Sequence, residues 1–133
     1  MGTTSPRLND TQQMGFLRKR ITFADYGNTV TVGYLPPKSS VVGGGVHIVT
    51  AFNSSGTDLL DVGFVGTTTD ANGYATLLVI SAVGWIVLDE LATTTNIQDT
   101  GVVQVTCAPA QSVADATAGV ADVIIWYIPD TDG

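Results

Sequence analysis

Apolar and polar side chains alternate along much of this chain with the two-residue period of a β-strand. The clearest stretch is residues 41–65, where one set of alternate positions holds Val46, Ile48, Thr50 and Phe52. The sequence Asn-Ser-Ser-Gly at residues 53–56 predicts a tight turn, because Asn and Gly tolerate positive φ. We therefore predict a hairpin, returning along residues 59–65. An apolar hairpin is not stable alone in water, so a second sheet must cover it.

Further short segments alternate in the same way, and Gly, Pro and Asn separate them. Strands are predicted over residues 18–26, 29–35, 101–107 and 120–128, with buried pieces at 77–80 and 85–88. In the second of these strands Val30, Val32 and Tyr34 are expected to face inward, and the last strand is apolar on both faces, as a central strand would be. The glycines at 43–45 predict a bulge or bend, and Asp70 is expected to cap a short helical turn over residues 71–77.

This pattern predicts an all-β protein with seven or eight strands and no long helix. An antiparallel β-sandwich follows, of jelly-roll or immunoglobulin-like type. The Cys-Trp-Cys pattern of immunoglobulin domains is absent, because the chain has one cysteine. A length of 133 residues is typical of one domain.

The beginning of the chain has neither strand nor helix period. Residues 1–17 are predicted to form an extended N-terminal arm, and residues 18–133 the jelly-roll sandwich domain. Met14, Phe16 and Leu17 would anchor the arm in a groove on a neighbouring molecule. For residues 1–10 the alternative is an unstructured tail.

Charge is scarce and unevenly distributed. Charged residues make up 13% of the chain, against about 25% in typical domains, which favours assembly into something larger; the alternative is a monomer with a Thr- and Ser-rich surface. All five basic residues lie in the first 38 positions with two acids, a net charge of +3, and residues 39–133 carry ten acids and no Lys or Arg, a net charge of −10. The overall charge of −7 argues against a nucleic-acid partner. We expect a cationic end that binds an acidic neighbour.

The residues that could carry chemistry are few. His47 and Cys107 are the only residues of their types, so no internal disulfide is possible and a His/Cys metal site lacks ligands. Cys107 is expected to be a buried, inert thiol. No combination of nucleophile, base and acid is visible, which predicts a protein that is not an enzyme and has no cofactor. The longest apolar run, residues 77–88, is too short to cross a membrane.

Two binding alternatives stay open. Calcium would need oxygen ligands from pairs such as Asp58 with Asp61 or Asp130 with Asp132, although no Asp-rich twelve-residue loop is present. A sugar would need aromatic side chains to stack on, and the candidates are Trp85, Trp126 and Tyr127. For these three we expect core positions instead.

Four segments carry a resemblance to a known family. They are Gly-Tyr-Leu-Pro-Pro at 33–37, His-Ile-Val-Thr-Ala-Phe-Asn at 47–53, Leu-Asp-Val-Gly at 60–63, and Ala-Gly-Val-Ala-Asp-Val-Ile-Ile-Trp-Tyr at 118–127. Together they resemble the small jelly-roll capsid decoration or cement (minor structural) proteins of tailed bacteriophages, over about residues 20–128. The arm before residue 18 has no counterpart.

The resemblance implies a virion protein on the outer surface of a phage capsid, where it clamps neighbouring subunits of the major capsid protein. It also implies a homo-oligomer, for which a trimer is favoured. The predicted partner-binding residues are Arg7, Met14, Phe16, Leu17, Arg18, Lys19 and Arg20. The alternative for the basic residues 18–20 is a solvated start of a strand. The alternative functions are a head-fibre, tail or adaptor component, or a carbohydrate-binding sandwich.

Overall fold

The computed structural model describes residues 14–91 and 99–129. The regular structure of this part of the chain is β-strand, apart from one short 3-10 turn at Phe23–Asp25. The strands are β1 (Gly15–Thr22), β2 (Val30–Leu35), β3 (Ser40–Thr50), β4 (Asp58–Val65), β5 (Thr69–Val79), β6 (Gly84–Val87), β7 (Val103–Gln111) and β8 (Val120–Ile128). The predicted all-β class is confirmed.

The strands form two antiparallel sheets of four. Sheet A has the order β1-β8-β3-β6, and sheet B has the order β2-β7-β4-β5. The pairs β1–β8, β2–β7, β3–β6 and β4–β5 are those of one long hairpin that has been rolled up, so that only β4 and β5 are consecutive strands within one sheet. This is the jelly-roll form of the β-sandwich, as predicted.

The core lies between the two sheets. Its members come from alternate positions of the strands, as the period-two pattern requires. The largest fully buried side chains are Tyr74, Phe52, Phe64, Ile21, Ile48, Leu60, Ile80 and Ile125. Cys107 is buried among them, as predicted, and burial raises the pKa of its thiol to about 12.

The predicted hairpin over residues 41–65 is wrong. β3 and β4 both exist, but β3 pairs with β6 and β8, and β4 pairs with β5 and β7. The residues between them cross from sheet A to sheet B. Phe52 fixes this crossing, because its backbone N–H donates to the Ile80 carbonyl and its ring is buried. Asn53 adds a hydrogen bond from the backbone N–H of Thr117 to its side-chain oxygen, at 2.8 Å.

Two further local predictions are wrong. Residues 71–77 are not helical but belong to β5, whose pairing with β4 jumps from Val62–Ala75 to Phe64–Asp70. The extra residues form a bulge there.

Tyr34 was expected to face inward. The register of β2 shifts between Thr31 and Gly33, however, which reverses the alternation and leaves Tyr34 60% exposed.

The boundary between arm and domain also moves. β1 begins at Gly15, so residues 15–17 pair with β8 and belong to sheet A rather than to the arm. Their pairing is favoured because Phe16 lies opposite Trp126 and Leu17 opposite Ile125. The rest of the predicted arm, residues 1–13, lies outside the described residues.

Candidate functional site

The outer face of sheet A carries side chains in a regular grid across all four strands. The registers place Arg20, Asp122, His47 and Trp85 in one row, Arg18, Ile124, Gly45 and Val87 in the next, and Phe16, Trp126 and Gly43 in the third. We call these residues the outer face. Because alternate residues of a strand point the same way, the whole set projects from the side of sheet A opposite the core.

Two tryptophans cover two of the three glycines of β3, Gly43 and Gly45. A Cβ atom on Gly43 would lie 2.8 Å from the Trp126 ring, and one on Gly45 would lie 2.5 Å from the Trp85 ring. The indoles also stack on each other, with ring centroids 6.1 Å apart and an interplanar angle of 24°. Trp85 is 45% exposed and Trp126 is 40% exposed. The core positions expected for both are therefore wrong, and β3 has glycines where the indole rings need room.

A charged cluster adjoins the aromatic rings. Asp122 accepts hydrogen bonds from Arg18 Nη2 at 2.9 Å and from Arg20 Nε and Nη2, both at 3.0 Å. Its own side chain is 4% exposed, while the two arginine side chains are 59% and 54% exposed. The hydrogen bond from Arg20, together with that from Arg18, holds the pKa of the Asp122 carboxyl below its usual range, although burial acts in the opposite direction.

This cluster gives a pH-dependent contribution to stability. A carboxyl whose pKa is depressed in the folded state stabilises it above the unfolded pKa of about 3.9, and that stability is lost as the pH falls through the folded pKa. We expect Asp122→Asn to lower the free energy of unfolding at pH 7 by about 1–2 kcal/mol. The difference from wild type should shrink as the pH falls below about 4, in urea titrations at a series of pH values.

The matched control is Asp70→Asn, since Asp70 is exposed and, among the residues that the structure describes, accepts only a local hydrogen bond from the Asn72 backbone. It should change the free energy of unfolding by less than about 0.5 kcal/mol, both at neutral pH and in acid. A wild-type advantage over Asp122→Asn that stays constant down to pH 2 would contradict the assignment of the low pKa to this ion pair.

A cavity of about 370 Å³ opens on the outer face. It is lined by Phe16, Arg18, His47, Asp122, Ile124 and Trp126. Phe16 is 67% exposed, and the His47 side chain is also exposed. Because Asp122 is already bound by two arginines, the polar groups left for another molecule are the remaining guanidinium N–H donors and the imidazole ring. The cavity is therefore suited to an acidic or apolar group.

The structure brings some of the predicted partner-binding residues together and separates others. Phe16, Arg18 and Arg20 lie on the outer face. Lys19 lies on the opposite face of β1, because the pairing with β8 is regular from Gly15 to Thr22. Leu17 packs against the core of its own domain. Met14 is exposed just before β1, and Arg7 lies outside the described residues.

Sequence reasoning missed the rest of this surface. Trp85, Trp126 and Asp122 were not predicted to lie near the basic residues. A signal existed, because Asp122, Ile124 and Trp126 share one parity of the last strand, and Gly43, Gly45 and His47 share one parity of β3. What the sequence could not give is the strand order, which places β8 between β1 and β3.

The described residues do not bring the candidate calcium ligands together. Asp58 accepts a hydrogen bond from the Tyr26 hydroxyl, and Asp61 accepts one from the Leu77 backbone; Asp130 and Asp132 lie outside the described part. In residues 14–91 and 99–129, no three His, Cys, Asp or Glu side chains are grouped to hold a metal ion. Within the same residues, no helix is long and apolar enough to span a membrane.

Comparison with known proteins finds chains that are similar in structure. No family model and no curated protein matches the chain. A chain of the capsid of Ralstonia phage GP4 matches with a TM-score of 0.67 and 18% identity, over 91% of this chain and 88% of that chain. A chain of the cyanophage Pam1 capsid asymmetric unit matches with a TM-score of 0.66 and 20% identity, over 90% and 86%.

A third similar chain belongs to the acidic stable capsid structure of Helicobacter pylori bacteriophage KHP30. It matches with a TM-score of 0.65 and 16% identity, over 89% of this chain and 90% of that one. At such identities the similarity shows a shared fold. The chain therefore has the fold of chains found in three bacteriophage capsids. This supports the phage-capsid part of the resemblance seen in the sequence, whereas the resemblance to decoration or cement proteins in particular stays a prediction.

Proposed function

We propose that this protein is a structural component of a bacteriophage virion, and that it binds the outer surface of the capsid and clamps neighbouring subunits of the major capsid protein. One observation carries the proposal. The fold similarity covers 86–90% of each capsid chain as well as about nine tenths of this one. Each of those chains is thus of about this size and shares this fold, which supports a role as a small component of a capsid.

The physical character of the molecule supports the same role. Clamping a shell needs a rigid block with several binding contacts, and no reaction. Two sheets packed around one continuous core supply the block. A homo-oligomer, with a trimer favoured, would engage several capsid sites at once, and such linkage raises the overall affinity without any new contact.

The direct test uses capsids of the phage that encodes this chain, prepared without the protein. Purified protein added back should bind these shells in a saturable, stoichiometric way, and it should raise the temperature at which they release DNA. Electron microscopy of the particles should then place the protein on the capsid surface. Location on a tail, fibre or neck would support the alternative virion roles instead, and failure to bind any virion part would overturn the proposal.

The basic residues of β1 give a further prediction. Replacing Arg18, Lys19 and Arg20 together by Ala should lower the affinity of one protein molecule for the shell about tenfold. Exposed ion pairs contribute about 0.5 kcal/mol each, so the three together contribute about 1.5 kcal/mol. The variant should also carry Asp122→Asn, so that no buried carboxylate loses its partners. Binding measured by co-sedimentation should weaken with added salt for the wild type and much less for the variant.

The control for this experiment is Asp122→Asn alone, which keeps all three cations. If the combined variant occupies the shells as fully as this control, electrostatic docking through β1 is excluded while the virion role itself stands.

A further inference from the structure

We propose that the outer face is the surface that contacts the capsid, and that it receives an acidic segment of the shell protein with an apolar residue beside the acid. This inference rests on the proposed function and names the surface and the chemistry of its partner. It differs from the expectation drawn from the sequence, because most of its residues lie on β8, β3 and β6 rather than on the N-terminal arm.

The first argument is the hydrophobic pattern of β8. Strands covered on both faces are apolar on both faces, whereas a strand with one solvated face alternates. On its inner side β8 contributes Val123 and Ile125 to the core. On its outer side it presents Ile124, which is half-buried, and Trp126, which is 40% exposed, and both line the open cavity. A partner molecule that covers this side would account for the pattern.

The second argument is the kind of side chain that is exposed. Aromatic residues and arginine are enriched among the few residues that dominate binding between proteins, and exposed apolar patches rimmed by polar groups mark interaction surfaces. The outer face combines Phe16, Trp85 and Trp126 with Arg18. The tryptophans already stack on each other above glycines. Because the two rings are already held in one arrangement in the free protein, less side-chain entropy is lost on association.

The third argument is charge and size. The chain has a net charge of −7, yet Arg18 and Arg20 both point from this one face, with a single carboxylate between them. An acidic partner would be attracted here and repelled by most of the remaining surface.

The size and polarity of the patch argue against a sugar as the partner. The patch crosses four strands, about 14 Å in all, which is wide for one sugar ring. A neutral sugar would also need a carboxylate acceptor, and the one in the cavity, Asp122, is already bound by the two arginines.

The test compares matched variants in shell binding. Phe16→Ala and Arg18→Glu should each weaken binding to depleted capsids about tenfold or more. Their controls are Tyr34→Ala and Lys38→Glu, which change an exposed aromatic residue and a cation outside this face; both controls should bind as the wild type does. Thermal melting of every variant establishes that the fold is retained.

A second measurement changes the interface only by one added hydroxyl group on each tryptophan. Trp85 and Trp126 are the only tryptophans in the chain, so replacing tryptophan by 5-hydroxytryptophan places a selectively excitable reporter on this face alone. Iodide should quench its emission in the free protein and much less in the shell-bound protein. Equal quenching in the two states would overturn the inference.

The outcomes separate the two proposals. If the wild type does not bind shells, the proposed function fails. If it binds and both Phe16→Ala and Arg18→Glu bind equally well, only the inferred surface fails. Two other results would also overturn the inference: binding on a glycan array that Trp126→Ala abolishes, or a dimer in solution that Phe16→Ala dissociates, because the occupant would then be a saccharide or a second copy of this chain.

Discussion

Replacing Gly44 by alanine is expected to lower the free energy of unfolding by about 2–5 kcal/mol, the sum of a strained backbone and a steric clash. Gly44 lies in β3 between β8 and β6, with φ of +139°, a conformation that L-residues rarely adopt. An added Cβ would meet the Ile124 carbonyl oxygen inside van der Waals contact and the Ile125 Cα at 3.1 Å. These are backbone atoms, so the strands themselves would have to separate.

The matched control for this prediction is Gly84→Ala. Gly84 has nearly the same backbone conformation, with φ of +143°, but its added Cβ would meet nothing within 4 Å. It should cost only the conformational part, about 1–2 kcal/mol. Urea unfolding of the two variants therefore separates strain from crowding. Equal losses in both would contradict the close approach of β3 to β8 that the outer face depends on.

The strands could be predicted from the sequence far better than their partners. The predicted segments at 29–35 and 120–128 match β2 and β8, and the one at 101–107 overlaps β7, which continues to Gln111. Strands are predictable because period two is a local property of the side chains. Which strand lies beside which is not local. The turn residues at 53–56 are equally compatible with a hairpin and with a crossing between sheets, and the choice is made by Phe52 and the core around it.

The tryptophans show a second limit of the sequence. A strand that is apolar on both faces is typical of the middle of a protein, and this is why Trp126 was expected in the core. The same pattern arises where the second face is covered by another molecule. A single chain cannot distinguish these two cases, since burial by its own residues and burial by a partner select the same side chains. The structure separates them, because among the described residues Trp126 is 40% exposed on the outer side of sheet A.

The charged residues show a third limit of prediction from the sequence. The run Arg18-Lys19-Arg20 suggested one cationic patch, but alternate residues of a strand point to opposite faces. Arg18 and Arg20 therefore share Asp122, which is more than 100 positions away in the chain, and Lys19 points elsewhere. The predicted attraction for an acidic partner is thus concentrated in two exposed guanidinium groups beside an aromatic surface.

The second large effect is expected at Phe52, where replacement by alanine should lower the free energy of unfolding by about 3–5 kcal/mol. The ring is 1% exposed, contacts Tyr26 edge-to-face at a centroid distance of 5.7 Å, and fills the space next to Gly119. Since domains of this size are stable by only about 5–15 kcal/mol, the variant should melt at a much lower temperature. Its shell binding, measured well below that temperature, should stay close to wild type.

Phe16→Ala is the reciprocal case, the same chemical change at a residue that is 67% exposed. It should cost less than about 1 kcal/mol of stability, the value of a cross-strand contact such as that with Trp126, and yet it should weaken shell binding. Together the two variants would show that Phe52 is needed for stability and Phe16 for binding to the partner. A Phe16→Ala variant that loses as much stability as Phe52→Ala would mean that the outer face is needed for folding, and its aromatic residues would no longer require a partner to explain them.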